Sequence, residues 1–152
     1  MIDPALAAFL GEGLGIHIGT RDEHLQPAGA RAIAVAPEPD GQHMLVYVAD
    51  VAAARILDNL ASNRHAAVTF ARPVDDRACQ IKGLFESVRP ATEDEHPYVA
   101  AQWDRFLGQL ERIGIPRAAS AAWVTWPAAA IRLQVTAIFD QTPGPKAGTT
   151  VR

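Results

Sequence analysis

The segment from Met44 to Asn63 constrains the fold most, because a strand pattern passes directly into a helix pattern within it. Its first six residues alternate as a half-buried strand requires, with Val46 and Val48 on the same side as Met44. Asp50 predicts the start of the helix, since its carboxylate can accept amide hydrogens of the first helical turn. The apolar residues that follow share one helical face: Ala53, Ile56, Leu57 and Leu60. The segment therefore predicts a strand joined to a helix without a loop.

This junction is also a potential anion site. The start of a helix presents free backbone amides and the positive end of the helix dipole. Arg55, about a turn and a half into the helix, can add a guanidinium to those donors. The alternative is an ordinary strand–helix connection that carries a solvent-exposed arginine. The local pattern leaves both interpretations open.

The remaining patterns predict a mainly β fold. Alternating or apolar runs give six strands: around Ile16–Ile18, Ala28–Ala36, the Met44 strand, His65–Ala71, Arg77–Pro90 and Ile131–Ala137. Asp40-Gly41 supplies the turn of an antiparallel hairpin, and Gly83 predicts a bulge or a tight barrel corner inside a long strand. Residues 1–140 are thus predicted to form one mainly β domain with α, a six-stranded antiparallel β-barrel with helices packed outside it. Residues 141–152 are expected to be a flexible tail.

Two further helices are predicted besides the one after Asp50. Asp3-Pro4 opens a short helix, with aspartate as the cap and proline in the first turn. A longer helix carries an apolar stripe at helical spacing, made by Val99, Trp103, Phe106, Leu107, Leu110 and Ile113. Thr92 with Glu95 forms a capping-box pattern at its start, although Asp94 is an alternative cap.

Composition excludes several classes of protein. A net charge of −3 and the lack of any lysine- or arginine-rich run argue against nucleic-acid binding. A single cysteine excludes an intramolecular disulfide, and no apolar stretch approaches the roughly 20 residues that span a bilayer. The first residues lack the pattern of a signal peptide. A cytoplasmic protein without membrane or nucleic-acid partners is expected.

Side-chain chemistry for catalysis is not evident in the sequence. The glycine string at 11, 13 and 15 precedes a strand instead of following one, so it is not a dinucleotide fingerprint. The five histidines show no metal-ligand spacing, and no nucleophile elbow exists. Cys79 in a strand is either a small buried hydrophobe or a reactive thiol. We predict no catalytic side chain and no metal site, and any redox chemistry must come from a bound cofactor.

Three stretches, in order and spacing, resemble one family: ARAIAVA, VYVADVAAARILDNLASNRHAAVTF and RACQIKG. They resemble strands and a helix of the pyridoxamine 5′-phosphate oxidase-like family, the split barrels that bind flavin mononucleotide (FMN). The resemblance covers roughly residues 6–139. It implies a split barrel, FMN as the cofactor, and a homodimer in which residues of both chains complete the flavin site.

Carried over by position, the resemblance implies a phosphate-binding role for Arg31 and Arg55. Ala49 and Asp50 stand where the family has a Tyr-Thr pair beside the flavin, and Gln80 is placed to substitute for a family glutamine. The cofactor-binding residues predicted in this way are Arg31, Ile33, Ala49, Asp50, Arg55 and Gln80. Ala54 and Ile56 take the positions of a serine and a lysine that bind phosphate in the family.

The leading hypothesis is therefore an FMN-binding oxidoreductase that acts on an unknown small substrate. The alternative is a degenerate split barrel that binds haem, a deazaflavin or no cofactor, and serves as a binding or accessory protein. A third possibility is an unrelated barrel for a hydrophobic ligand. The helix after the third strand argues against it, because an up-and-down barrel would continue with another hairpin.

Overall fold

Residues 1–151 are described by a computed structural model, and within them the chain forms three α-helices, one 3₁₀ turn and seven strands. In chain order these are α1 (Pro4–Leu10), β1 (Gly15–Arg21), β2 (Pro27–Ala32), β3 (Ala34–Pro37), β4 (His43–Ala49), α2 (Asp50–Asn63), β5 (His65–Ala71), β6 (Ala78–Pro90), α3 (His96–Arg112), the 3₁₀ turn (Arg117–Ser120) and β7 (Ala128–Asp140). The strands form one antiparallel sheet in the order β2-β1-β5-β6-β7-β4-β3.

The sheet curls until its two edges meet. Its edge strands, β2 and β3, are consecutive in the chain and separated only by Ile33. The Ile33 amide donates to the Tyr47 carbonyl at 2.8 Å. The chain therefore changes its pairing partner from β1 to β4 within one residue. This curled, seven-stranded half-barrel is consistent with the predicted split barrel.

The predicted number of six strands is wrong, because the run Ala28–Ala36 forms two strands. Ile33 and Ala34 both belong to the hydrophobic cluster under α3, so the inward–outward alternation breaks between them. β2 therefore pairs with β1, whereas β3 pairs with β4. A run of alanines and β-branched residues does not reveal this break, because small side chains fit on either face.

The inner face of the curled sheet holds the main core. Alternating strand residues such as Ile18, Val46 and Ile131 are completely buried there. The apolar face of α2 belongs to the same cluster through Ala53, Ile56 and Leu60, as its spacing predicts. The predicted bulge is confirmed, since the β6–β7 register shifts between Lys82 and Gly83.

The first helix cap is confirmed, and the other two are corrected. The Asp3 carboxylate accepts from the Leu6 amide at 2.7 Å. Asp50, in contrast, is the first residue of α2 and makes no capping bond, because Ala49 is the cap residue. At α3 the helix begins at His96, later than Thr92 or Asp94 as the cap would give, and of the predicted capping box the bond from the Thr92 amide to the Glu95 carboxylate forms at 2.8 Å.

A second, smaller core lies between α3 and the outer face of β3 and β4. Tyr47, Ala49 and Val99 are buried in it, and Trp103 packs against its edge. Gln102 of α3 is 1% exposed, and its side-chain amide hydrogen-bonds to the free edge of β3 as the backbone of a neighbouring strand would. Its Oε1 accepts from the Val35 amide at 3.1 Å, and its Nε2 donates to the Val35 carbonyl at 2.7 Å.

The last residues turn back along β7. Thr150 forms an isolated bridge with Phe139, and the Val151 amide donates to the Ile138 carbonyl at 2.8 Å. The expected flexibility of residues 141–152 stays a prediction, and Arg152 lies outside the described residues.

Glu95 ties the start of α3 to the barrel. Its carboxylate accepts from Arg89 at 2.7 Å, from the Tyr47 hydroxyl at 2.8 Å and from the Thr92 amide at 2.8 Å. The hydrogen bond from Arg89 is the main cause that holds the pKa of Glu95 well below its usual range. Glu95 therefore stabilises the fold in its ionised form.

We expect Glu95→Gln to lower the free energy of unfolding by about 2 kcal/mol at neutral pH, because a charge-assisted contact is lost. Since the pKa of Glu95 is depressed in the folded state, its contribution is complete above the unfolded value of about 4.3 and is lost as the pH falls below it. The difference between wild type and variant should therefore shrink on acidification. Urea unfolding at neutral pH and near pH 3 measures it, with the exposed Glu93→Gln as the control. A pH-independent difference would contradict the assignment.

Candidate functional site

A groove of about 440 Å³ lies on the outer face of the sheet, within the range of about 300–1,000 Å³ typical of ligand pockets. Its polar residues form one row across four strands, because Arg31 pairs with His17, His17 with Thr69, and Thr69 with Gln80. The groove is lined by His17, Ile18, Gly19, Gly29, Ala30, Arg31, Ala67, Thr69, Gln80 and Trp123.

Arg31 lies at one end of the groove, between two aromatic rings. Its guanidinium carbon is 5.1 Å from the ring centre of Phe106 and 4.2 Å from that of Trp123. The Nη1 atom is buried and has no hydrogen-bond partner among residues 1–151. Burial lowers the pKa of Arg31. An unpaired, partly desolvated guanidinium is costly in the free protein and favours binding of an anion.

The other residues of the row, His17, Thr69 and Gln80, are also polar. Burial lowers the pKa of His17, and the charge of Arg31 lowers it further. His17 is consequently neutral at pH 7, with ring nitrogens that can donate and accept. The Gln80 amide donates to the Thr69 hydroxyl at 3.2 Å, which orients both side chains along the groove.

The floor of the groove is almost free of side chains. Gly19 and Gly29 pair with each other, and Ala67 pairs with Gly19 on the next strand. A Cβ atom at Gly19 or Gly29 would approach only backbone oxygens, at 3.7 and 3.8 Å. Side chains there would therefore fill the groove without disturbing the sheet, and their absence leaves a flat surface.

The structure brings together two of the six predicted cofactor-binding residues. Arg31 and Gln80 line the groove. Ile33 and Ala49 are buried in the second core, at 5% and 2% exposure. Asp50 and Arg55 are exposed on α2 and do not line the groove as the described residues form it. Their roles stay predictions.

Sequence reasoning missed His17, Thr69 and Trp123. Strand alternation places His17 and Thr69 on outward faces, but only the register shows that both lie in the row of Arg31. Trp123 belongs to the loop after the 3₁₀ turn and reaches Arg31 from about 90 residues away in the chain. Local pattern carries no signal for such a contact.

A cluster of possible metal ligands also exists at the β3–β4 turn. Ligand atoms of Glu38, Asp40 and His43 lie within 4.8 Å of one another. Arg132 donates to Glu38 at 2.7 and 2.8 Å, and His43 lies 2.6 Å from Asp40. Because the positive charge of Arg132 already occupies Glu38, the cluster is an ion-pair network.

No helix among residues 1–151 has both the length and the apolar character that crossing a bilayer requires. The sequence matches no family model and no curated protein.

The fold itself is shared with solved split-barrel proteins. HupZ from Group A Streptococcus is 15% identical, with a TM-score of 0.59 over 97% of this chain and 100% of its own. A proposed pyridoxamine 5′-phosphate oxidase from Lactobacillus delbrueckii is 12% identical, with a TM-score of 0.56 over 90% and 92%. An FMN-binding protein from Syntrophomonas wolfei is 12% identical, with a TM-score of 0.51 over 88% and 82%.

These likenesses show that the chain has the split-barrel fold of these solved proteins. At 12–15% identity they establish the fold alone.

Proposed function

We propose that this protein binds FMN in the outer groove and that Arg31 holds the phosphate. The observation that carries the proposal is the Arg31 guanidinium, held between Phe106 and Trp123 with a buried Nη1 that lacks a partner among residues 1–151. A dianionic phosphate is the group that best satisfies such a donor. The bare floor at Gly19 and Ala67 is suited to a flat ring, and the sequence resemblance points to the same cofactor.

Each polar residue of the row in the groove has a definite role in this proposal. Arg31 supplies charge and Nη donors to the phosphate, and neutral His17 offers a further donor beside it. Gln80 and Thr69 present polar atoms to the polar edge of the ring system. When bound, the flavin would supply hydride or electron transfer, so the protein needs no catalytic side chain of its own. On this basis we propose an oxidoreductase that acts on a small substrate.

We expect Arg31→Gln to weaken FMN binding by about tenfold to a hundredfold, since one charge-assisted contact contributes about 1.5–3 kcal/mol. Arg31→Lys should be intermediate, because lysine keeps the charge but not the planar contact with the rings. Titration of the purified protein with FMN, followed by the visible spectrum and by tryptophan fluorescence, measures the affinity.

The matched control is Arg112→Gln, which removes the same charge from an exposed position on α3. Equal affinity of the Arg31 and Arg112 variants would contradict the phosphate role of Arg31. A wild-type protein that stays colourless after incubation with FMN would contradict the proposed function itself.

A homodimer is part of the proposal. His17 is exposed and the groove opens to solvent, so a second chain can complete the site. Sedimentation equilibrium should give twice the chain mass of 16.3 kDa. A mass of one chain at micromolar concentration would contradict the dimer.

One observation favours a different cofactor or none. Ile56, at the position of the family's phosphate-binding lysine, is 1% exposed in the main core and cannot reach a ligand. The alternative is a binding or accessory protein for a deazaflavin or haem. Parallel titrations with FMN, a deazaflavin and haem discriminate between them, and tighter binding of either competitor than of FMN supports the alternative.

A further inference from the structure

A second cavity, of about 500 Å³, adjoins the groove on the same outer face. The two cavities share Gly19 and Ala67. Three basic side chains line the second one: Arg21, His65 and Lys82. The bare surface around Gly19 and Ala67 forms a platform between the two cavities, and the three basic side chains lie at its end opposite Arg31.

The strand register places these three side chains around the shared floor. Lys82 of β6 pairs directly with Ala67 of β5. The β1–β5 register, which pairs Gly19 with Ala67, sets Arg21 opposite His65 when it is extended by two residues. Arg21 is four residues beyond His17 along β1, a distance of about 13 Å. One phosphate group cannot contact both Arg31 and Arg21, so the two basic ends are separate sites.

Within residues 1–151, the two cations of the second cavity, Arg21 and Lys82, form no salt bridge with a carboxylate. Ion pairs within residues 1–151 occupy Arg72, Arg89, Arg117 and Arg132. Arg21, by contrast, donates to a backbone oxygen, that of Asp22, at 3.2 Å, and Lys82 lies 5.0 Å from the ring of Phe139. Among the described residues that line either cavity, none is an aspartate or a glutamate.

This distribution is unusual for a chain in which acidic residues outnumber basic ones, 17 to 14. A concave surface lined by one sign of charge focuses the electrostatic potential and concentrates ligands of the opposite sign. The second cavity is lined by basic side chains and by no aspartate or glutamate, although the protein as a whole is negative.

We propose that Arg21, His65 and Lys82 bind the anionic group of a small substrate, a carboxylate or a phosphate monoester, beside the cofactor groove. The substrate role rests on the proposed FMN function, whereas the anion binding itself does not require flavin. A substrate fixed here lies next to the Gly19–Ala67 floor and can be held against a cofactor bound there.

The test is a titration of ¹⁵N-labelled protein without flavin, first with inorganic phosphate and then with succinate. We expect saturable amide shifts at residues 19–21, 65–67 and 82–83. The double variant Arg21→Gln, Lys82→Gln should weaken this binding by about tenfold or more. Lys146→Gln, which removes one charge outside both cavities, should leave it unchanged. Dispersed spectra establish that each variant is folded.

Several results would overturn the assignment. One is the lack of saturable shifts at these amides, and another is equal phosphate affinity in the wild type and the double variant. Loss of the shifts in FMN-loaded protein would show that the cofactor fills both cavities. A preference for flavin adenine dinucleotide over FMN that the double variant abolishes would assign the cations to the second half of a dinucleotide. Failure to bind FMN with intact phosphate shifts would remove the proposed function but leave the anion site.

Discussion

Replacement of Gly13 by alanine should destabilise the protein by about 2–4 kcal/mol, the largest effect we expect from a single methyl group. Gly13 has φ +80°, a conformation that costs an L-residue about 1 kcal/mol or more. An added Cβ would lie 2.4 Å from the Arg105 Cβ and 2.5 Å from the Phe106 amide nitrogen of α3. Relief requires movement of the helix backbone, which adds an overpacking cost of about 1–3 kcal/mol.

The control lies in the same glycine string. Gly11 has φ −83°, and its added Cβ would meet its nearest atom at 3.5 Å. Gly11→Ala should therefore change the free energy of unfolding by less than about 1 kcal/mol. Thermal and urea unfolding of the two variants measure the difference. Similar stability of both would contradict the close approach of α3 at Gly13.

This contact also reaches the functional site. Phe106, whose amide nitrogen would be displaced, holds the Arg31 guanidinium. A Gly13→Ala protein that still folds is expected to bind FMN less tightly than Gly11→Ala. Of the glycines that resemble a phosphate loop in sequence, Gly13 therefore serves helix packing, and only indirectly the groove.

Gln102→Met should lower the free energy of unfolding by about 2–4 kcal/mol, although the two side chains are similar in volume. The substitution leaves the buried Val35 amide without its acceptor at 3.1 Å and removes one of two donors to the Val35 carbonyl. A buried donor without a partner costs about 1–3 kcal/mol, and the lost donor adds about 1 kcal/mol. Urea unfolding of the variant measures the loss.

Gln109→Met is the matched control, two turns further along α3. The Oε1 atom of Gln109 is buried and has no hydrogen-bond partner among residues 1–151. Its removal is expected to be neutral or to stabilise the protein by up to about 1 kcal/mol. If both variants lost the same stability, the bond between Gln102 and the sheet edge would not be the cause.

Local pattern predicted the elements well where one face is apolar and the other polar. The stripe of α3 and the alternation of β4 and β7 specify type and approximate extent without any neighbour. Prediction failed where side chains are small or where a cap binds elsewhere. Ile33 interrupts the strand although the apolar run continues, and the Glu95 carboxylate binds Arg89 and Tyr47 in addition to the Thr92 amide.

The residues of the candidate site were likewise predicted from the sequence only in part. Arg31 and Gln80 were identified from short stretches, because the resemblance supplied their positions, and they do line one groove. His17 and Trp123 were not, since their proximity to Arg31 arises from strand register and from a loop distant in the chain. Arg55 shares a sequence pattern with a phosphate ligand, yet α2 carries it outside the groove formed by the described residues.

The sequence by itself thus determined which segments are strands and helices, because periodic burial is a property of neighbouring residues. It also led to the prediction that any redox chemistry comes from a bound cofactor. Only the tertiary structure decided that one apolar run closes the barrel by serving both of its edges. It likewise decided that α3 packs closely against Gly13 and that basic side chains from four strands line two adjoining cavities on one face of the sheet. These features depend on strand register and on close contact between residues that are distant in the chain. Local sequence pattern encodes neither of them.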